Sequence, residues 1–317
     1  MNISARDIHG TMISFGDHNR NVFNGSPPAR ARVDAAGQPE FGIVAALPEE
    51  FAATRVLLDD VAAPRGVRGD RADYVLGTLP SRDADRPHHV VLTLLGETGN
   101  NAAAESCANL ARSFGSVSTV IMAGIACGVP RHVGLGDVVV ATWGIVEYDH
   151  VEETVDGPVP RRPFPRPSPL LARRAKLVQA NEIDGNRPWE RWLDVARRRI
   201  PAYARPAEGR TAVHYGYIGS ANRSLRDGLV RDRIAEAHHL LAIEMEGSGI
   251  GSAGFANGLE WFVVRGISDF GEHGTAGRWR GYASLAAAAY VRALLAECPP
   301  VDPRGGHTSD AQGSELC

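Results

Sequence analysis

Short apolar runs alternate with amphipathic stretches through the centre of the chain. FGIVAAL (41–47), HVVLTLLG (89–96) and STVIMAGIACG (118–128) have the length and composition of buried strands. Two of them are followed by EEFAATRVLL (49–58) and NNAAAESCANLARSFG (100–115), which have the periodicity of helices. This alternation predicts an α/β fold, a single domain with a twisted, mixed, mostly parallel central β-sheet flanked by helices.

The regular pattern lapses over residues 150–210. This stretch holds the Pro- and Arg-rich PVPRRPFPRPSPLLARR and a helical pattern, WERWLDVARRRI, which together predict a loop and helix insertion over a sheet edge or a site mouth. Strand and helix patterns then resume at HYGYIGS, AIEMEGSGIGSAGFANG, WFVVRGISD and YASLAAAAYVRALLAE. We therefore expect the domain to span residues 39–297.

The two ends of the chain lack this pattern. Residues 1–38 are rich in Gly, Asn, Asp, Pro and Arg, which predicts a flexible or short-hairpin appendage. Residues 298–317 are rich in Pro, Gly and Ser without periodicity, which predicts a disordered tail. We expect neither end to carry the chemistry.

Composition restricts the partners and the compartment. The formal net charge of −3 gives no overall attraction to nucleic acid or to anionic lipid. No window approaches eighteen uninterrupted apolar residues, and the N-terminus lacks the pattern of a signal peptide. The four cysteines are scattered without metal-site or disulfide spacing. These features predict a cytoplasmic protein that does not span a membrane.

Acidic residues follow several of the predicted strands. Glu49 and Glu50 come after FGIVAALP, Glu244 and Glu246 flank a methionine at the end of another run, and Asp269 ends WFVVRGISD. Each could cap a helix, because acids stabilise a first turn by about 0.3–1 kcal/mol. In open α/β sheets, however, ligands bind outside the carboxyl ends of strands. The acids therefore become candidate site residues as a group.

Several of these segments together resemble a known family. IEMEGSGI followed by VVRGISD is similar to the signature of methylthioadenosine/S-adenosylhomocysteine nucleosidases and their phosphorylase relatives, and the likeness extends over residues 41–296. GIVAALPEE resembles the first strand and acidic turn of that family, GETGNNAAA its glycine loop, and MAGIACGV with VGLGDVVVAT its central strand and hairpin. The C-terminal RGISDF and WRGYASLAAAAYVRALL are most similar to nucleosidase-like domains fused to repeat or signalling modules.

The resemblance implies cleavage of the bond between a purine and its ribose. By motif position, Asp269 is the general acid that protonates purine N7, and Ser268 orients it. Glu50 is the residue that activates water for attack on the anomeric carbon. Glu246 binds the ribose hydroxyls, and Met245 packs beneath the sugar.

The choice of nucleophile depends on the MAGIACGV segment. In this segment the resemblance implies an Arg-x-Gly-Ser pattern for relatives that use phosphate. In this chain Met122 and Ile125 stand at the positions of its arginine and serine. A phosphate dianion needs charge-assisted donors, so the resemblance favours hydrolysis over phosphorolysis. Thr98 and Gly99, with Ile125 and Ala126, are the expected pocket for the nucleophile.

The base-binding residues are the least determined part of the site. YIGSANRSL resembles the base-binding strand of the family, but the aromatic residue that stacks on adenine is replaced near Ser224, which leaves the base open. We expect Asn222, Ser224, Ser268 and Phe270 to contact the base, while Trp279 or Tyr217 could supply a ring.

Arginines bear on the 5′ end of the substrate. These arginines, with one lysine, occur in the insertion and after the base-binding strand. Beside a pocket they would suit 5′ phosphates, so nucleotides such as ATP remain possible substrates alongside adenosine or methylthioadenosine. The residues are Arg161, Arg162, Arg166, Arg173, Arg174, Lys176, Arg223 and Arg226. The histidines show no metal-ligand spacing, and we expect neither a metal nor a cofactor. Relatives of this kind form dimers or larger rings, so we expect a homo-oligomer that acts on a small molecule.

Three other functions compete with hydrolysis. A purine nucleoside phosphorylase could take its phosphate from arginines of the insertion. A nucleotide-binding signalling or effector module would bind without turnover, although the retained carboxylates argue against it. A dinucleotide-dependent oxidoreductase is disfavoured because no GxGxxG follows any candidate strand.

Overall fold

A computed structural model describes residues 37–63, 65–155, 157–160, 164–272 and 277–301. Residues 1–36 of the appendage expected over residues 1–38, and residues 302–317 of the tail expected over residues 298–317, lie outside these described residues. The strands are β1 Phe41–Ala45, β2 Arg65–Gly66, β3 Asp73–Leu79, β4 His88–Leu94, β5 Thr119–Gly128, β6 Val138–Glu147, β7 Val151–Thr154, β8 Gly157–Pro160, β9 Val213–Ser220, β10 Leu240–Glu244 and β11 Glu260–Asp269. The helices are α1 Pro48–Arg55, α2 Asn100–Ser113, α3 Pro169–Ile183, α4 Pro188–Arg199, α5 Gly228–His238, α6 Gly247–Ala256 and α7 Arg280–Ala296, with a short 3₁₀ turn at Pro201–Tyr203.

Nine strands form one mixed sheet in the order β10-β9-β6-β11-β5-β1-β4-β3-β2. The central β1 pairs in parallel with β4 and β5, and β5 pairs in parallel with β11, while β6 runs antiparallel to β11. β10, the first strand in this order, also pairs with the end of β5, through Ala242 with Gly128 and Ile243 with Cys127, so it has a partner on both sides. This extra pairing curls the sheet and brings the ends of β5, β9, β10 and β11 together.

Helices cover both faces of the sheet, as the alternating pattern predicts. Side chains of α1, α3, α4 and α7 pack into the core on one face, and those of α2 and α6 pack into the core on the other. The Ala-rich α7 is buried along most of its length and lies directly against β11. A Cβ on Gly266 would collide with the backbone of Ala283, so this close approach requires glycine.

The insertion, expected as a loop and a helix, supplies the two helices α3 and α4. Helices α3 and α4 both pack against α7, and Leu171 and Trp189 are fully buried there. The insertion therefore covers a face of the sheet, and the described part of it completes the hydrophobic core. At the C-terminal end, Cys298 is buried, and its carbonyl oxygen accepts a hydrogen bond from the Arg82 N–H, so the ordered domain extends past the expected boundary at 297.

Among the described residues, no helix is both long and apolar enough to cross a bilayer. The strands β2 and β3 and the helix α5 did not stand out in the sequence pattern, and the structure adds them at the sheet edge and beside β10. The mixed α/β architecture itself is the one that the alternation of apolar runs predicts.

Candidate functional site

A cavity of about 300 Å³ lies at the carboxyl ends of the strands. Its walls come from the segments that follow β1, β4 and β9 and from the last residues of β5, β10 and β11. Segments far apart in sequence therefore meet at one place, as expected for a ligand site in an open α/β sheet. The lining residues are Ala46, Leu47, Glu50, Thr98, Ile125, Ala126, Cys127, Arg223, Ser224, Leu225, Arg226, Ile243, Glu244, Met245, Glu246, Ser268, Asp269 and Arg280.

Glu50 is buried at one wall of the cavity, in the first turn of α1. Its Oε2 accepts hydrogen bonds from the backbone N–H groups of Ala46 at 2.7 Å and Leu47 at 3.0 Å. Its Oε1 accepts a third from Ile125 N–H at 2.8 Å, which ties α1 to the end of β5. The carboxylate thus caps its own helix and is held in one orientation toward the cavity.

A single arginine joins the glutamates beneath the cavity. Arg265 of β11 is fully buried, and its Nη2 donates to Glu244 and, at 3.1 Å, to Glu246 Oε2. Its Nη1 lies 3.8 Å from Glu50 Oε1. A Cβ on Gly124 would collide with this guanidinium and with Glu50, so glycine in β5 provides the space for the ion pairs.

The glutamates that face the cavity have raised proton affinity. Burial raises the pKa of Glu50 above its usual range, and Arg265 and the three backbone donors only partly offset this. Burial likewise raises the pKa of Glu246 to about 7, with Arg265 opposing the shift and Glu244 and Glu50 adding to it. A carboxyl group with such a pKa can exchange a proton near neutral pH.

Asp269 ends β11 at another wall of the cavity. Ser268 Oγ donates to its Oδ2 at 2.8 Å, and the Gly271 N–H donates to its Oδ1 at 2.8 Å. Cys127 lies nearby, and burial raises the pKa of this thiol to about 12, so it is protonated at neutral pH. The carboxyl group of Asp269 is therefore oriented by a hydroxyl and a backbone amide.

The structure brings most of the predicted site residues to this one cavity. Nine of them line it, namely Glu50, Thr98, Ile125, Ala126, Ser224, Met245, Glu246, Ser268 and Asp269. Gly99 adjoins it through its backbone, because its N–H donates to Glu246 Oε1 at 3.0 Å. Gly99 has a φ of 119°, which favours glycine, so this residue positions the sugar-binding candidate Glu246 rather than forming part of the wall.

Two predicted base contacts lie elsewhere. Asn222 does not line the cavity, and its Oδ1 accepts the Asn100 N–H at 2.8 Å at the start of α2, which uses the amide for helix capping. Phe270 also lies outside the lining and packs, half-buried, against the core near Gly128. None of the described lining residues is aromatic, so Trp279 and Tyr217 do not supply a ring there either.

The positively charged residues of the cavity differ from those expected. Arg223 and Arg226 line it, whereas Arg166, Arg173, Arg174 and Lys176 of the insertion do not, and Arg161 and Arg162 lie outside the described residues. Sequence reasoning missed Arg280 and Arg265. Arg265 did carry a signal, because a charge within the apolar run WFVVRGIS must find buried partners.

Within the residues that the structure describes, no group of three or more His, Cys, Asp or Glu side chains is arranged to hold a metal ion. The acids around the cavity instead pair with Arg265 or with backbone N–H groups.

Known proteins are similar to this chain in sequence and in fold. The sequence model of the phosphorylase superfamily matches residues 40–296. A nucleotide-binding leucine-rich repeat (NLR)-like protein of Hyaloscypha variabilis is 27% identical over 82% of this chain, which spans only 29% of that protein. A 5′-methylthioadenosine/S-adenosylhomocysteine nucleosidase of Mycobacterium bovis is 24% identical over 81% of this chain and 96% of its own length.

Solved structures show the same architecture. An S-adenosylhomocysteine nucleosidase from Streptococcus pyogenes, in complex with 5-methylthiotubericidin, has a TM-score of 0.62 and 24% identity, and the match covers 82% of this chain and 98% of that one. The residues matched by the family model, 40–296, include all the strands whose ends form the cavity, from β1 to β11. This chain belongs to the phosphorylase superfamily.

Proposed function

We propose that this chain hydrolyses the N-glycosidic bond of a purine nucleoside or nucleotide and releases the free base. The observation that carries the proposal is the convergence of Glu50, Glu246 and Asp269 on one cavity from three distant segments. Relatives named as nucleosidases share the fold, which supports the same reaction class.

Asp269 donates a proton to N7 of the purine as the bond between the base and the ribose breaks. Without that proton the base would leave as an anion, which is a poor leaving group. A positioned general acid raises the rate of such a step by about 10²–10⁴-fold. The hydrogen bonds from Ser268 and from the Gly271 N–H fix the carboxyl group in place. The base then leaves neutral.

Glu50 takes the proton of the attacking water. The C1′ carbon gains positive charge as the base departs, and the water oxygen forms a new bond to it while its proton moves to the carboxylate. The raised pKa of Glu50 suits it to hold that proton, and its three backbone hydrogen bonds fix its direction. Proton exchange with solvent afterwards returns a proton to Asp269 and removes one from Glu50.

Glu246 holds the ribose. Its Oε1 is fixed by the Gly99 N–H and its Oε2 by Arg265, so the ionised carboxylate can accept hydrogen bonds from sugar hydroxyls with its remaining lone pairs. Met245 presents a flexible apolar side chain to the same cavity, which suits contact with a sugar face. Together they orient C1′ toward Glu50.

Water is the nucleophile that fits this site. Met122 is fully buried in β5 and offers no donor to a phosphate dianion. The Ile125 N–H, which also adjoins the position of the nucleophile, is already used by Glu50. The described basic residues of the insertion lie away from the cavity. Arg223, Arg226 and Arg280 do line it, so turnover measured with and without phosphate separates the two nucleophiles.

The experiment is release of free base from adenosine, inosine, methylthioadenosine and ATP, with and without inorganic phosphate. We expect release that does not depend on phosphate and that yields the sugar, with its 5′ substituent retained and a free hydroxyl at C1′, rather than the corresponding 1-phosphate. Asp269→Asn should lower kcat by at least about 100-fold while the melting temperature stays unchanged. Turnover that requires phosphate would replace hydrolysis by phosphorolysis, and undiminished turnover by the variant would refute the role of Asp269.

A cytoplasmic location and a symmetric homodimer are further predictions. Sedimentation or light scattering of the purified chain would test the dimer, and a monomer that retains full activity would remove it from the proposal.

A further inference from the structure

The turn that follows Asp269 is held by a strand and by a helix. Gly271 in this turn has a φ of 66°, and a Cβ on it would lie 2.9 Å from Cys127 Sγ of β5. Arg231 of α5 is buried, and its Nη1 donates a hydrogen bond to the Phe270 carbonyl oxygen. The turn that carries the candidate general acid is therefore tied to α5, a helix that contributes no residue to the cavity wall.

One peptide group joins Arg231 to Asp269. The Phe270 carbonyl and the Gly271 N–H belong to the same planar unit. The carbonyl oxygen accepts from Arg231 Nη1, and the N–H donates to Asp269 Oδ1 at 2.8 Å. In a trans peptide group the two bonds point in opposite directions, so the arginine and the acid bind opposite sides of this unit. A hydrogen bond to the oxygen also polarises the N–H and strengthens its own hydrogen bond.

The backbone alone does not fix this peptide group, because one of its residues is glycine. Glycine adopts positive and negative φ about equally readily, so the Phe270–Gly271 unit can rotate unless a contact holds it. Rotation would turn the Gly271 N–H away from Asp269 Oδ1. Hydrogen bonds from a charged donor are stronger than those between neutral groups, so Arg231 is suited to oppose the rotation.

Arg231 is itself held by two carboxylates. Its Nε donates to Asp232 Oδ1 at 2.9 Å, and its Nη2 lies 2.8 Å from the same oxygen. Its Nη1 lies 3.6 Å from Glu272 Oε1. A Cβ on Gly228 would lie 3.3 Å from both Arg231 Nη2 and Glu272 Oε1, so glycine at the start of α5 leaves room for this pair. The guanidinium is thus fixed in direction before it meets the turn.

The Gly271 hydrogen bond also distinguishes the two oxygens of Asp269. A backbone N–H only donates, which favours Oδ1 as the unprotonated oxygen. A serine hydroxyl can donate or accept, so Oδ2, which lies 2.8 Å from Ser268 Oγ, is the oxygen suited to carry the proton. Without the Gly271 contact, the carboxyl group could rotate and the proton could occupy either oxygen.

We propose that Arg231 is a positioning residue for the general acid. It holds the Phe270–Gly271 peptide group so that Asp269 presents its protonated oxygen to N7 of the purine. This inference rests on the proposed hydrolysis and adds to it a residue outside the cavity wall. Because Arg231 acts through Asp269, its removal should impair proton transfer and leave substrate binding unchanged.

Arg231→Gln tests the inference with substrates that differ in their need for a proton. The purine substrate that the native chain cleaves fastest is compared with its 7-methyl derivative. The methylated base already carries a positive charge, so it leaves as a neutral molecule without receiving a proton. We expect kcat for the unmethylated substrate to fall by about 10–100-fold with little change in KM, because a misplaced catalytic group costs rates of this order. The kcat for the methylated substrate should stay near its native value.

Two further variants separate the charge of Arg231 from its surroundings. Arg233→Gln is the matched control, because Arg233 is exposed on the same helix and does not line the cavity. Arg231→Lys keeps a cationic donor and should restore part of kcat. If Arg231→Gln fails to fold, Asp232→Asn loosens the same guanidinium from a half-buried position and should show the same substrate dependence at smaller size.

A double-mutant cycle with Asp269→Asn gives a readout that does not depend on the methylated substrate. If Arg231 acts through Asp269, Arg231→Gln should change kcat little once Asp269 is replaced. Should the methyl group exclude that substrate from the cavity, the cycle decides alone.

The outcomes separate the two proposals. Equal losses with the two substrates, additive effects in the cycle, or equal kcat for Arg231→Gln and Arg233→Gln would overturn the positioning role and leave hydrolysis standing. No release of base by the native chain from any purine substrate would instead overturn the proposed function. A loss that is confined to the substrate needing a proton and disappears in the Asp269→Asn background supports the inference.

Discussion

Replacing Arg265 with glutamine tests the physical basis of the whole site. The substitution removes the guanidinium group that lies among Glu50, Glu244 and Glu246, all of which are buried. Glutamine keeps some hydrogen-bonding capacity, so the main change is the loss of charge. Three carboxyl groups then share a low-dielectric site without a counter-ion.

The expected loss of stability is large and depends on pH. Removing one partner of a buried ion pair typically costs about 3–5 kcal/mol, because the remaining charge stays buried and unpaired. For a domain of this size, that corresponds to a fall in Tm of about 6–20 °C. Without Arg265, the pKa values of Glu50 and Glu246 rise further above their unfolded values.

The sign of the pH dependence follows from proton binding. A carboxyl group whose pKa is higher in the folded state binds more protons folded than unfolded, so stability falls as pH rises through that interval. In the variant, protonation at pH 5.5 relieves part of the repulsion among Glu50, Glu244 and Glu246. The deficit relative to the native chain should therefore be larger at pH 8 than at pH 5.5.

Urea unfolding of both chains at the two pH values measures this directly. Arg198→Gln is the matched control, because Arg198 is exposed on α4 and such surface changes usually stay within about 0.5 kcal/mol. If Arg265→Gln were as stable as the control at pH 8, or lost the same stability at both pH values, the account of a charge-compensated glutamate cluster would be wrong.

Two further predictions concern the sugar site and the packing beneath it. The pKa of Glu246 lies at about 7, and its ionised form accepts hydrogen bonds from the ribose hydroxyls, so kcat/KM should rise between pH 6 and pH 8. Glu246→Gln should abolish this rise in kcat/KM. A native pH profile that is flat over this range would contradict the role. Gly249→Ala should lower the free energy of unfolding by about 1–3 kcal/mol, because its Cβ would collide with the Asn100 carbonyl where α6 meets α2. Gly66→Ala is the control, because a Cβ there meets no atom within 4 Å. Equal melting temperatures of the two variants would show that the helices can separate freely.

Local patterns in the sequence determined the architecture. Apolar runs of strand length followed by amphipathic stretches are sufficient to predict a mixed sheet covered by helices, since each element must bury its apolar side. The same local information placed Glu50, Glu246 and Asp269 at strand ends, and motif resemblance gave them roles. These features depend on neighbours along the chain, which is why the sequence carries them.

Long-range contacts decided what the pattern could not show. The sequence suggests Asn222 as a base contact, and the structure shows its side-chain oxygen accepting the Asn100 N–H at the start of α2. Among the described residues of the insertion, Arg166, Arg173 and Arg174 do not line the cavity, whereas Arg280 does. Arg265 joins three glutamates from two separate segments, one at the start of α1 and one at the end of β10. Only the pairing of β5 with both β11 and β10 brings them within reach of Arg265. Such pairings depend on distances across the sheet, and a linear sequence does not specify which distant charges will share one buried volume.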